Sequence, residues 1–330
     1  MRPFEYERAP DAATAVTLLA EHPGAKPLAG GTNLVDLMRL GVETPDTLVD
    51  INRVDFGGID ALPGGGIRVG AGVRNSDLAG DLAVRVAFPV LAEAILAGAS
   101  GQLRNMASVG GNLLQRTRCV YFADTSKPCN KRMPGSGCSA IAGSSRELAI
   151  LGASPSCIAT FPGDMAVALC ALSASVSYLT VDGEREVAID DFYRLPGDRP
   201  ELDTTLPAGA LITGITVPPL PAGMRSGYRK ARDRRSFAFG LVTVAAALRV
   251  EDGIVVDVRI AFGGVAHKPW RASIAEGLLR GAPARPDRFE AAIDAELAHA
   301  TPTDENAFKV ALLRRLTVGT LVDLGLEATS

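Results

Sequence analysis

Three of the chain's five cysteines, Cys119, Cys129 and Cys138, fall in the loop-like stretch RCVYFADTSKPCNKRMPGSGC at residues 118–138, and a fourth, Cys157, follows it. The spacing C-x9-C-x8-C-x18-C matches neither the paired C-x2-C pattern of zinc sites nor ordinary ferredoxin runs. An odd, clustered cysteine count fits a disulfide framework poorly and fits a metal site or reactive thiols better. In a Gly- and Pro-rich segment the loop itself can set ligand geometry, so the residues leave three readings open: a [4Fe–4S] cluster, a structural zinc, or free or paired thiols. The fifth cysteine, Cys170 in ALCAL, reads as a small buried hydrophobe.

Two glycine motifs could do a different chemistry. AGGTNL at 29–34 and VGGNL at 109–113 each follow a segment predicted as strand. Adjacent glycines can turn consecutive N–H groups toward one point, forming a nest for an anion such as a pyrophosphate. Thr32, Asn33 and Asn112 would add side-chain donors. Neither motif is the G-x-G-x-x-G fingerprint, which disfavours an ordinary nicotinamide domain. Taken singly, each is more often a structural turn. No Ser-His-Asp order, zincin helix or P-loop supports a hydrolase or kinase. His267, in VAHKPWRA, reads chiefly as a structural turn residue, and His22 and His299 as surface residues.

These loops need elements to hold them. Residues 11–21 have helical spacing, and KPLAGGTNLVDLMR reads as strand, glycine turn and helix start. Strand-like runs lie at 48–52 and 67–72, an apolar helix at 86–99 ending at Gly98, and a helix running into a strand in DMAVALCALSASVSYL. After PLPAG at 219–223 the style changes: strands near 240–250 and 254–262 and helices near 270–280, 286–299 and 305–325 predict an α+β unit. At 330 residues and net charge -3, with no extended basic footprint, the chain predicts a globular protein of two or three domains that does not bind nucleic acid. It has no export-signal pattern and no run approaching the roughly 18 apolar residues of a membrane span.

Six motifs, KPLAGGTNLVDLMR, LRNMASVGGNLLQR, CIATFPGDMAVAL, FYRLPG, YRKARDRRSFAFGLVTVAAAL and AFGGVAHKPWRA, run in order across nearly the whole chain. Together they resemble the FAD-binding medium subunit of the xanthine dehydrogenase, or molybdenum hydroxylase, family, and most of all the FAD subunit of periplasmic-type aldehyde oxidoreductases. The resemblance implies a two-lobed FAD-binding domain of the vanillyl-alcohol-oxidase (PCMH) type over 1–220, with lobes 1–55 and 56–220. It also implies a cysteine-rich iron–sulfur insertion at about 115–158, and a small α+β domain like that of carbon monoxide dehydrogenase flavoproteins over 221–330. It places Leu28, Ala29, Gly30, Gly31, Thr32, Asn33 and Leu34 on FAD, with Ser108, Gly110, Gly111, Asn112 and Leu113 approaching from the other side. Asp164, Ile212 and Lys230 are implied as further flavin contacts, a cation near the flavin N1–C2 end stabilising its reduced anion. Close relatives have His and Ser where this chain has Phe161 and Gly163, a departure that bears on flavin potential and oxygen reactivity. In such relatives, four cysteines of an insertion like this one hold a [4Fe–4S] cluster, which implies Cys119, Cys129, Cys138 and Cys157 as ligands. Arg118, Lys127, Lys131 and Arg132 would offset the charge of a four-thiolate cluster.

The implied function is electron transfer. An aldehyde would react at a molybdenum cofactor on a large partner subunit, and electrons would pass through two [2Fe–2S] clusters on a small partner subunit to FAD here and then to an external acceptor. A flavin subunit of an acyl-CoA reductase, as in 4-hydroxybenzoyl-CoA reductase, or of an N-heterocycle hydroxylase is the alternative within the resemblance. A non-enzymatic metal-binding scaffold and a free-standing flavin oxidase are the alternatives outside it. The compartment is either the periplasm, reached as a folded complex through a partner's twin-arginine signal, or the cytoplasm, with no direct membrane insertion.

Overall fold

Asp11 starts the first helix: its carboxylate accepts from the Thr14 N–H at 2.7 Å, and Ala12–Glu21 then buries Ala15, Val16 and Leu19 on one face. The computed structural model describes residues 1–326, so 327–330 of the expected C-terminal domain lie outside the described residues. That first helix packs beside a parallel sheet of Glu5–Arg8, Thr47–Asp50 and Lys26–Leu28, in that spatial order. The first glycine motif leaves the carboxyl end of Lys26–Leu28 and enters the helix Leu34–Leu40, which Gly41 ends at φ 71°. The ends of parallel strands are where α/β layers open toward ligands.

A five-stranded antiparallel sheet forms the second lobe, in the order Ile59–Ala61, Ile67–Gly70, Leu211–Val217, Ser175–Thr180, Gly183–Ala188. The fully buried helix Asp164–Ala171 packs into its core with Pro89–Ala97. A four-stranded antiparallel sheet, Trp270–Arg271, Ile254–Gly263, Val242–Glu251 and Arg225–Ala231, carries the last third, covered by the helices Ser273–Leu279, Pro286–Leu297 and Phe308–Leu326. Fold class and mixed helix and strand content agree with the expectation. No helix among the described residues is long and apolar enough to cross a membrane.

Two local expectations are corrected, and one strand not expected from the sequence is found. The second glycine motif does not follow a strand: Gly101–Met106 before it is helical, and Val109–Leu113 is itself one short helical turn. The reason is capping, since Ser100 Oγ accepts from the Leu103 N–H and Ser108 Oγ from the Gly111 N–H, both at 3.2 Å. The helix predicted over 86–99 begins at Pro89, because Phe88 breaks from the short helix Leu82–Ala87 and proline takes the first helical turn. Part of the charged run YRKARDRR is a strand, Arg225–Ala231, whose period of two directs Tyr228 and Lys230 to one face and Arg229 to the other.

Residues 115–158 contain only the short helix Val120–Ala123 and are held by side chains. Arg132 Nη1 donates to the carbonyls of Tyr121 and Phe122 at 2.9 and 2.7 Å, and Asn130 Nδ2 to Ser156 O at 3.0 Å. The far end of the segment docks on the C-terminal unit. There the N–H groups of Ile150 and Leu151 both donate to Val265 O, and the buried Asn306 and Lys309 donate to carbonyls at 145–149.

Candidate functional site

The first glycine loop is built for an anion. The N–H groups of Gly30, Gly31, Thr32 and Asn33 donate to no acceptor among the described residues, and Gly31 has φ 71°. Gly30 tolerates no side chain, because a Cβ there would collide with the backbone carbonyl of Met106, just before the second glycine motif. Asn33 is fixed through its Oδ1, which accepts from the Arg116 N–H at 3.0 Å, while its buried Nδ2 has no partner. Asn75 Oδ1 is likewise buried without a donor. Unpaired buried polar atoms cost stability unless a ligand satisfies them: the loop amides and Asn33 Nδ2 are donors that suit an anion, whereas Asn75 Oδ1 is an acceptor that suits a ligand hydroxyl or amine.

Thr32, Asn33, Asn75, Gly111 and Asn112 line one end of a cleft of about 1010 Å³ including its open mouth, and Asp164, Lys230 and Phe239 line the other. At that second end Lys230 Nζ meets Asp164 Oδ2 at 2.8 Å, and Tyr228 Oη donates to Asp164 Oδ1 at 2.6 Å. The pair is nearly closed to solvent, with side-chain exposures of 4% and 9%. Burial, together with the Asp164 carboxylate, holds the Tyr228 hydroxyl well above its ordinary pKa, so it stays a donor. The structure therefore brings together Asp164 and Lys230 from separate domains. Ser108 caps the second motif and Gly110 packs on Ala71, serving the cradle from behind. Leu28, Ala29, Leu34 and Leu113 do not line the cleft, and Ile212 lies buried in the second-lobe core.

Four sulfurs share another cavity. Cys119, Cys129, Cys138 and Cys157 all line a space of about 290 Å³; all five cysteines of the chain are free, and all four of these but Cys138 are buried. Cys129 and Cys138 face each other across an isolated antiparallel bridge. Burial pushes the Cys119 thiol up and Cys157 to about 11, so both are neutral thiols in the protein alone. Among the described residues, no three His, Cys, Asp or Glu side chains gather to hold a single metal ion. Of the expected basic neighbours, Lys131 is buried and donates to Asp203 Oδ1 at 2.5 Å and to Pro200 O at 2.7 Å. Arg132 ties the loop, as above, Lys127 is exposed, and Arg118 turns toward the cleft.

Sequence reasoning missed several participants. His267 is 3% exposed, with Nε2 4.0 Å from Cys157 Sγ and Nδ1 3.4 Å from Arg194 O; burial holds it at about 4, neutral. Asp203 gathers Lys131 and Arg116 beneath the cavity, and no motif marks it. Tyr228 was available from the strand alternation that places it beside Lys230. Phe161, buried against Tyr193 at 4.7 Å between ring centroids, explains Gly163: a Cβ there would lie 2.7 Å from Phe161 Cζ.

Residues 2–220 match the family described as FAD binding domain in molybdopterin dehydrogenase, and 226–327 match the CO dehydrogenase flavoprotein C-terminal domain. The chain is 49% identical over 330 residues to the aldehyde oxidoreductase FAD-binding subunit PaoB of Escherichia coli (strain K12), covering 99% of this chain and 100% of that one. It is 29% identical to the glyceraldehyde dehydrogenase medium chain of Sulfolobus acidocaldarius, over 82% of this chain and 78% of that one. Among solved structures it superposes on a carbon monoxide dehydrogenase chain from Hydrogenophaga pseudoflava with a TM-score of 0.77 at 25% identity, covering 99% and 98% of the two chains.

Proposed function

We propose, from the premise that the chain belongs to the FAD-binding medium subunits of the molybdenum hydroxylase family, that it is the electron-transfer subunit of an aldehyde oxidoreductase and carries a [4Fe–4S] cluster beside its flavin. The observation that carries this reading is one shared residue. Cys119 lines both the four-thiol cavity and a second cleft, which in turn shares Arg118, Pro162, Asp164 and Phe239 with the glycine-loop cleft. A redox centre held by the thiols would thus stand next to one held in the cleft.

When bound, the flavin supplies the exchange between single-electron and two-electron chemistry. This chain's own part is binding and electrostatics. The free amides of Gly30–Asn33 and the Asn33 amide fit the phosphates. Lys230, held in place by its pair with Asp164, provides positive potential where reduction adds negative charge. That no three His, Cys, Asp or Glu side chains among the described residues gather around one point supports a cluster over zinc, because a tetrahedral zinc needs its ligands around a single ion, whereas a cubane spreads them over separate irons. Lys131 offsets the charge of such a cluster from within the core. Partners are a large molybdenum-cofactor subunit, where the aldehyde reacts, and a small [2Fe–2S] subunit.

The test is co-expression with the two partners, anaerobic purification, and iron and FAD determination for the wild type and Cys129→Ser. About eight irons and one FAD, falling to about four irons with FAD retained, is the expected result for one [4Fe–4S] and two [2Fe–2S] clusters. About four irons in both would remove the cluster from this chain, and absence of flavin would remove the central reading.

A further inference from the structure

We infer that Arg74 and Asn52 form a strut between the two glycine loops and, by fixing the separation of the loops, act as positioning residues for the flavin pyrophosphate. The inference rests on the flavin-subunit reading above. The two loops hang from different sheets. The first leaves the strand Lys26–Leu28 of the parallel sheet. The second is tied to the segment that follows Ile67–Gly70 of the five-stranded sheet: the Asn75 N–H donates to Ala107 O, the Val109 N–H to Val73 O and the Gly110 N–H to Ala71 O, each at 2.9 Å. An anion held between the loops needs a gap of fixed width, which neither sheet sets alone.

Asn52 is anchored to the parallel sheet. Its N–H and Nδ2 donate to Asp50 Oδ1 at 3.0 and 2.7 Å, and Asp50, 4% exposed, accepts in turn from Tyr6 Oη at 2.5 Å and Arg8 Nε at 3.1 Å. Asn52 Nδ2 also donates to Leu28 O and Ala29 O at 3.3 and 3.1 Å, the carbonyls at the root of the first loop. With three oxygens around Nδ2, the amide turns Oδ1 the other way, where it accepts from Arg74 Nη2 at 3.3 Å. Arg74 Nη1 then donates to Met106 O at 2.6 Å. Met106 is the last residue of the helix Gly101–Met106, so its carbonyl lacks an intrahelical partner and suits a cation. The same carbonyl is the one that forbids a side chain at Gly30, so the loops touch where the strut pulls them together. Neither Asn52 nor Arg74 lines the cleft, which places their action on a ligand through the loops.

The test measures FAD affinity of the flavin-stripped complex with its partner subunits, by quenching of flavin fluorescence. Arg74→Met and Asn52→Ala should each weaken FAD binding roughly tenfold, the order of one charge-assisted hydrogen bond lost from a preorganised site. The double variant should lie within about twofold of the weaker single variant, because either substitution already cuts the strut. Arg74→Lys, which keeps a donor for Met106 O, should recover most of the affinity that Arg74→Met loses. The urea midpoint of the flavin-free variants should stay at the wild-type value, since neither side chain is buried. Losses that multiply in the double variant would mean that Arg74 meets the ligand itself, and overturn the strut. Wild-type affinity in either single variant, or affinity that falls only in step with the midpoint, overturns it as well. A wild-type complex that takes up no FAD would remove the flavin-subunit reading and the strut with it, an outcome distinct from wild-type binding with unaffected variants.

Discussion

Replacing Lys230 by methionine strands a carboxylate. Asp164 sits at the start of a fully buried helix, and its partners are Lys230 Nζ at 2.8 Å and Tyr228 Oη at 2.6 Å. Lys230 also donates to Ala97 O at 3.2 Å, a carbonyl that Arg232 serves as well at 3.0 Å, so that acceptor keeps a donor in the variant. The loss is therefore concentrated on Asp164. Removing one member of a buried ion pair costs about 3–5 kcal/mol, because the remaining charge is left in a poorly solvating site. Removing both charges, as Asp164→Asn with Lys230→Met, leaves two neutral groups, and the double variant should lose at least about 2 kcal/mol less than the sum of the two single losses. Flavin fluorescence through a urea titration of the purified complex follows opening of this cleft, and the four-variant cycle gives the coupling. Losses that add to within about 0.5 kcal/mol would refute the reasoning, because they would mean that the two side chains act independently.

Two further substitutions probe the surroundings of the site. Gly163→Ser alone should lower the urea midpoint by the equivalent of about 1–3 kcal/mol, since its Cβ meets a Phe161 ring wedged against Tyr193, and Phe161→His in the same chain should recover most of that loss. Equal midpoints for Gly163→Ser with and without Phe161→His would show that the ring is not what demands glycine. Lys309, 0% exposed, donates to Leu148 O at 2.9 Å and Gly264 O at 2.8 Å, and burial lowers its pKa to about 7. Because the folded pKa is depressed, the unfolded chain holds one more proton between about pH 7 and the ordinary lysine value, so stability rises with pH through that window by about 1.4 kcal/mol per unit. Lys309→Met should lack this component of the slope when unfolding is followed from pH 7 to 10, and identical slopes would sink the assignment.

How far the sequence disclosed the molecule depended on how local each cause is. The helix Ala12–Glu21 and the strand–turn–helix around Gly30 and Gly31 were legible because their capping and periodicity sit within a dozen residues. Val109–Leu113 was misread as a turn after a strand because its helical start depends on Ser108 and Ser100, hydroxyls that resemble ordinary loop residues. The strand Arg225–Ala231 was hidden by charge, since Arg225, Arg229 and Lys230 mask an alternation that only the neighbouring strand Val242–Glu251 makes decisive. Asp164 and Lys230 were each placed on the flavin through resemblance. Their pairing across 66 positions has no local signal. The same holds for His267 beside Cys157, and for Asp203 between Lys131 and Arg116, which only tertiary packing brings together.

That long-range packing also bears on why the cysteine segment stands where it does. Thiols in an ordinary surface loop would be held only by their own chain, and loop backbone is mobile unless tied down. Here the tie comes from the C-terminal unit: Asn306 Nδ2 donates to the carbonyls of Ser145, Leu148 and Ala149, Lys309 to Leu148 O, and Ile150 and Leu151 enter the core of the C-terminal sheet. The same unit supplies Lys230 to Asp164 and Phe239 to Arg118. The C-terminal unit thus holds the far end of the cysteine segment through Asn306 and Lys309, the cation at the cleft from its strand Arg225–Ala231, and the aromatic wall of the second cleft from the loop that follows that strand. Electron transfer between neighbouring centres needs fixed separations rather than moving side chains, and one packed unit that contacts all three places meets that need more directly than three independently anchored loops would.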